Sequence, residues 1–250
     1  MLSMNNIKQP QKTTIVTKNF QSHFLCAHIH WWLPVVLMLL ITPFTPAIDL
    51  ALTRYFYEPA IDSVPGHFST NSFFNFMFVY GVIPADITAG LAIIALVLSY
   101  FSSYWKQWRS AALVLILTLA VGAGFITHVI LKDHWGRPRP KQVEEFGGAQ
   151  AFRPYYQPNF YHQPEPSKSF PCGHCSMGFY FFALALIGKR KGSQVLYVTG
   201  LVLAWTLGIA LSVTRIAQGG HFFSDVLMTA LIMWLTALTF DWLIFSDERQ

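Results

Sequence analysis

The sequence predicts an all-α integral membrane protein of six transmembrane helices. Three observations carry that prediction. The 250 residues are 53% hydrophobic and only 12% charged, about half the charge of a soluble domain, which carries roughly 25%. The apolar residues fall in long unbroken runs rather than at amphipathic spacing. The charges gather between those runs.

The elements follow in order. Apolar runs near 31–50, 74–101, 111–131, 175–188, 195–213 and 222–245 read as spans, against the ~20 residues that cross a bilayer core. The fourth is short, and flanking residues extend it. Residues 1–30 read as a cytoplasmic tail, 31–245 as one membrane domain and 246–250 as a cytoplasmic end. The first apolar run begins behind a long polar tail, so it reads as an anchor rather than a cleaved signal. Lys8, Lys12, Lys18, Lys106, Arg109, Lys189, Arg190 and Lys191 lie on one side of a six-span layout, and the positive-inside rule makes that side the cytoplasm. Asp49, Arg54, Glu58 and Asp62 read as an outer connection. The long connection after the third span falls on the same outer side, yet it holds Lys132, Arg137, Arg139, Lys141, Arg153 and Lys168. Either long loops weigh less in the rule, or these cations bind something.

The net charge of +5 needs no nucleic acid. No basic amphipathic or aromatic-interleaved stretch suggests one. Membrane topology and an anionic ligand account for it.

Three clusters stand out: Lys132-Asp-His-Trp-Gly-Arg-Pro-Arg139-Pro140, Pro171-Cys172-Gly173-His174, and Thr214-Arg215 followed by Gly219-Gly220-His221 and Asp225. The six-span layout brings all three to the outer face. Taken singly, Lys132 or Arg215 reads as a snorkelling flank and His221 as an interfacial histidine. Asp225 in an apolar run is costlier and points to function. Jointly they form a phosphate site. Arg139 and Arg215 offer forked donors and Lys132 a point charge. His221 attacks phosphorus, and Asp225, four residues on and one helical turn away, accepts the proton of its other nitrogen. His174 protonates the leaving alkoxide and then activates the water that cleaves the phosphohistidine. Three fixed cations supply what a divalent metal often supplies, so neither metal nor cofactor is expected.

These residues resemble the signature of the type 2 phosphatidic acid phosphatase (PAP2) superfamily: K-x6-R-P, P-S-G-H and S-R-x5-H-x3-D. Lys132, Arg139 and Pro140 match the first motif, Pro171, Gly173 and His174 the second, and Arg215, His221 and Asp225 the third. Arg137-Pro138 has the wrong spacing. The resemblance implies a PAP2-like six-helix bundle and a metal-independent phosphatase with a phosphohistidine intermediate. Thr214 replaces a serine and keeps the hydroxyl. Cys172 replaces another, and a thiol is a weak donor, which leaves the backbone N–H groups of Cys172 and Gly173 as phosphate contacts.

Cys172-Gly-His-Cys175 also reads as a thiol redox motif, but it lacks a βαβ context, and only Cys26 remains as a further cysteine. A zinc site needs a fourth ligand beyond Cys172, His174 and Cys175, and nothing argues for His162. A structural disulfide between the two cysteines is a further reading.

The long connection carries Trp135, Phe146, Phe152, Tyr155, Tyr156, Phe160, Tyr161 and Phe170, read either as an interfacial belt or as a grip on an amphipathic ligand. Both indicate a lipid phosphate. Phe146-Gly-Gly, Arg153-Pro-Tyr-Tyr and the stretch from Ala217 to Asp225 resemble the bacterial subgroup that includes lipid A phosphatases. That implies a bacterial inner membrane with a periplasmic site. Undecaprenyl diphosphate and phosphatidylglycerol phosphate stay open as substrates. A non-enzymatic lipid binder or transporter is the reading from another class, and it leaves His174 and the His221–Asp225 pair without a reason.

Overall fold

The structure is a computed structural model and describes residues 29–160 and 166–245. Lys8, Lys12, Lys18, Cys26, Tyr161, His162 and the end 246–250 lie outside the described residues. Two compact units divide at Leu40: Met1–Leu40 and Ile41–Gln250. The described part of the first belongs to the apolar helix Ile29–Ile41.

Five helical stretches are long and apolar enough to cross a membrane: Ile29–Tyr55, Ser72–Phe101, Arg109–Lys132, Gln194–Ala217 and Phe223–Phe245. Only 17–33% of their most apolar windows is buried by protein. Ile87, Leu91, Ile94, Val129, Val202 and Ile209 point outward. Such apolar faces are satisfied by lipid, not water.

The fourth expected span differs. Its segment is two short helices, Gly173–Phe179 and Phe182–Arg190, and protein surrounds nearly all of it. Cys175, Phe179, Tyr180, Phe181, Ala183 and Ile187 are buried in the main core with Val114, Ala204, Met233 and Ala237. The segment forms the centre of the bundle rather than its lipid face.

Glycines set its position. A Cβ on Gly178 would lie 2.5 Å from the Cα of Gly208, and one on Gly200 would lie 2.7 Å from the Cα of Ala185. The broken helix and Gln194–Ala217 therefore touch backbone to backbone, the approach that small residues permit between membrane helices. His174 begins the first element and Arg215 ends the second, so this packing brings both to one end of the bundle.

At the opposite end, Arg190 Nη2 pairs with Asp241 Oδ2 at 2.6 Å, and Lys191 Nζ donates to the carbonyl of Gln107 at 2.7 Å. The basic loops after the second and fourth apolar segments thus share one end, away from the three clusters.

The stretch Thr118–Lys132 is wound as a π-helix, a form rare in ordinary helices and common near functional sites. Its wider turn shows in side chains that bond five residues back. Thr127 Oγ1 donates to the carbonyl of Gly122 at 2.8 Å, and His128 Nδ1 bonds that of Ala123 at 2.7 Å.

Asp49 is not part of an outer connection, as its sequence neighbours suggested. It lies fully buried in the helix Thr45–Tyr55. The connection proper is a small hairpin, Tyr57–Glu58 against His67–Phe68. The aromatic residues of the long connection pack mainly inward, against one another, the hairpin and Phe222. Phe146 packs with Tyr57 and Phe68, and Phe170 packs with Trp135 and Tyr155. Tyr156 and Phe160 are exposed.

Candidate active site

The three clusters meet, and main-chain bonds join them. Lys141 N–H donates to the carbonyl of Gly219 at 3.3 Å, and Ser169 N–H to that of Arg137 at 3.0 Å. The His221 ring bonds the Ser169 carbonyl. Cys172 N–H donates to Thr229 Oγ1 at 2.9 Å.

The cations ring one spot. A Cβ on Gly173 would stand 2.6 Å from His128 Nε2 and 3.4 Å from Lys132 Nζ, so glycine here leaves room for both. Phe78 forms a platform: the His174 ring stacks on it at 4.4 Å, and the Arg215 guanidinium sits 4.7 Å from its centroid. Lys132, Arg139 and Arg215 all act electrostatically on His174.

Like charges gather here without neutralisation. Among the described residues no carboxylate lies within ion-pair distance of Lys132, Arg139 or Arg215, whereas Lys168 pairs with Asp133 at 2.6 Å and Arg137 with Asp49 and Asp225. Arg139 Nε and Arg215 Nε are buried N–H donors with no acceptor among the described residues. A buried donor left unpaired costs about 1–3 kcal/mol. Both are open to an acceptor from outside the described residues.

His221 is 1% exposed. A carbonyl only accepts, so the bond to Ser169 fixes the proton on Nδ1 and leaves the Nε2 lone pair free. Burial pushes the His221 pKa down to about 4, with Asp225 opposing the shift and Arg215 and Lys132 adding to it. The imidazole is therefore neutral at physiological pH, the form a nucleophile needs.

Two expected details change. The last helix begins at Phe223, so His221 precedes it and no helical turn joins His221 to Asp225. The Nδ1 proton goes to Ser169, and Asp225 Oδ2 lies 3.7 Å from Nδ1. Asp225 instead accepts from Phe222 N–H at 2.8 Å and Ser169 Oγ at 2.6 Å, which shapes the turn that carries His221. Cys172 is also no phosphate donor. Its sulfur is bonded to Cys175, its N–H is engaged by Thr229, and it is fully buried. Its role is local: the sulfur accepts Cys175 N–H at 3.3 Å and caps the helix that begins with Gly173 and His174.

Sequence reasoning missed Phe78, His128, Ser169, Arg137 and Asp49 as neighbours of the site. One signal was available for the last: a carboxylate inside an apolar run needs a partner.

Comparison with known proteins gives the following. The family model described as the PAP2 superfamily matches residues 111–248. A protein named lipid A 4'-phosphatase from Francisella tularensis subsp. novicida (strain U112) is 30% identical over 203 residues, covering 80% of this chain and 86% of the relative. A protein of the same name from Rhizobium leguminosarum is 31% identical over 134 residues, 53% of each chain. No solved structure matches.

Proposed function

The chain belongs to the PAP2 superfamily and is a multi-pass bacterial membrane lipid phosphatase; from that premise we infer that it removes the 4'-phosphate of lipid A through a phosphohistidine on His221, without a metal, at the periplasmic face of the inner membrane. The observation that carries the chemistry is the pair of unsatisfied buried donors on Arg139 and Arg215, beside a neutral histidine with a free Nε2. The lipid A assignment is supported by the names of the relatives. The orientation is supported by the basic loops at the end opposite the clusters.

The reaction runs in two steps. In the first, the His221 Nε2 lone pair forms a bond to phosphorus, and the bond from phosphorus to the leaving oxygen breaks. His174, whose protonation burial and the surrounding cations oppose until the phosphate dianion enters, takes up a proton with the substrate and gives it to that oxygen. Lys132, Arg139 and Arg215 neutralise the equatorial oxygens, where positioned charge contributes most to phosphoryl transfer. In the second step, His174 takes a proton from water as its oxygen bonds phosphorus, and the P–N electrons return to His221. A general acid/base of this kind is worth about a hundredfold to ten-thousandfold. Gly173, with no side chain, lets His128 and Lys132 approach its backbone.

The test is phosphate release from purified lipid A, undecaprenyl diphosphate and phosphatidylglycerol phosphate, wild type beside His221→Ala, with excess chelator. The expected result is release from lipid A by the wild type alone. Turnover by His221→Ala would remove the nucleophile assignment. Activity lost to chelator and restored by zinc would show a metal requirement. Preference for another lipid would reassign the substrate and leave the chemistry standing.

A further inference from the structure

Arg137 falls outside the catalytic spacing, yet it is the largest fully buried side chain among the described residues. Its Nη1 donates to Asp225 Oδ1 at 2.5 Å and Ser224 Oγ at 2.8 Å. Its Nη2 donates to Asp49 Oδ2 at 2.8 Å, and its Nε to the carbonyl of Arg153 at 2.9 Å. The guanidinium sits 4.5 Å from the centroid of the Phe222 ring. Four of its five N–H donors are thus engaged within the protein.

Asp49 completes the cluster. Its Oδ1 accepts Ser224 N–H at 2.8 Å, and its Oδ2 accepts Ser224 Oγ at 2.6 Å as well as Arg137. Ser224 stands beside Asp225 and three residues after His221. The first-span helix is thereby tied to the start of the last helix, at the turn that aims the nucleophile. Buried ion pairs add little net stability, because desolvation offsets their attraction. An apolar cluster would hold these elements together as well. What an apolar cluster lacks is charge. Two carboxylates face one guanidinium here, so the cluster holds one carboxylate more than it has cations, and Asp225, its member nearest His221, has Oδ2 3.7 Å from Nδ1.

That charge matters during the reaction. His221 is neutral before attack. When Nε2 bonds phosphorus, Nδ1 keeps its proton and the ring becomes cationic; when the P–N bond breaks, the ring returns to neutral. We propose that Asp49 and Arg137 are positioning residues for phosphoryl transfer. Arg137 fixes Asp225 and the His221 turn, and Asp49 supplies the second buried carboxylate, so that the cluster and the phosphorylated imidazolium are balanced together. The proposal rests on His221 as the nucleophile.

Asp49→Asn tests it, because asparagine keeps the shape and an acceptor oxygen and removes the charge. The expected result is a folded protein by thermal unfolding in detergent, KM within about threefold of wild type, and kcat lower by on the order of tenfold to a hundredfold, the usual cost of losing an outer partner that orients a working histidine. A purely structural role would lower kcat only in proportion to the unfolded fraction. Wild-type kcat in folded Asp49→Asn overturns the proposal. If that variant does not fold, Arg137→Gln with Asp49→Asn removes one charge of each sign. Depressed kcat at near-normal KM supports positioning there, and wild-type kcat overturns it. His221→Ala is assayed alongside. Activity in His221→Ala defeats the nucleophile reading and this proposal together, whereas an inactive His221→Ala beside a fully active Asp49→Asn defeats this proposal alone.

Discussion

Gly220→Ala isolates the importance of where Arg215 sits. The φ of Gly220 is not positive, unlike that of Gly219 at +61°, so the backbone accepts alanine. The new Cβ, however, would lie 2.7 Å from Arg215 Cζ. Unstrained contact needs about 3.5 Å or more, so the guanidinium must shift by about 1 Å. Two interactions resist that shift: the Phe78 platform and the bond from Arg215 Nη1 to Gln218 Oε1 at 2.9 Å. Arg215 is a flexible side chain, so it yields and the fold survives. A displacement of about 1 Å costs on the order of a hundredfold in rate, or about 2.7 kcal/mol of transition-state stabilisation. The assay is phosphate release in detergent, with kcat and KM measured separately and thermal unfolding as the check on folding. The expected outcome is kcat near a hundredth of wild type, with little change in the melting temperature. A folded Gly220→Ala that turns over within threefold of wild type would refute the reasoning, since Arg215 would then need no fixed position.

Two further predictions concern pH and the disulfide. His221 is held neutral by burial down to about pH 4, below its ordinary value near 6.5. Between these values the unfolded chain binds a proton that the folded one does not, so this contribution to stability is complete above about pH 6.5 and is lost as the pH falls to about 4. Wild type should therefore lose more melting temperature than His221→Gln over that range, and parallel curves would contradict the assignment. Cys172→Ser opens the disulfide yet keeps an oxygen that can accept the cap from Cys175 N–H. A short loop of this kind predicts a loss of about 2 kcal/mol, with turnover within a few-fold of wild type; abolished turnover in folded protein would give the cysteine a chemical role.

Much of the fold was legible because membrane spans are written in long local runs. The expected 74–101 and 111–131 differ by about two residues from Ser72–Phe101 and Arg109–Lys132. The motif residues were legible because their spacing is also local. Asp49 and Arg137 were not. Their partnership spans 88 residues, and no periodicity reports a contact at that separation. Arg137 even looked like a misplaced copy of Arg139. The aromatics of the long connection were ambiguous for a related reason: irregular backbone has no repeat that separates an inward ring from an outward one. The brevity of the fourth segment was visible, but its central place in the bundle was not, because a central helix and a lipid-facing one can be equally apolar.

The glycine contact between the broken central helix and Gln194–Ala217 has a mechanical consequence. Helices touching main chain to main chain have no soft side-chain layer to shear. His174, the proposed proton donor, and the cation Arg215 are therefore mounted on one chassis. Phe78 of the helix Ser72–Tyr80 is seated against both groups, so that helix belongs to the same frame. The spacing of His174 and Arg215 is therefore set by backbone packing rather than by flexible side chains.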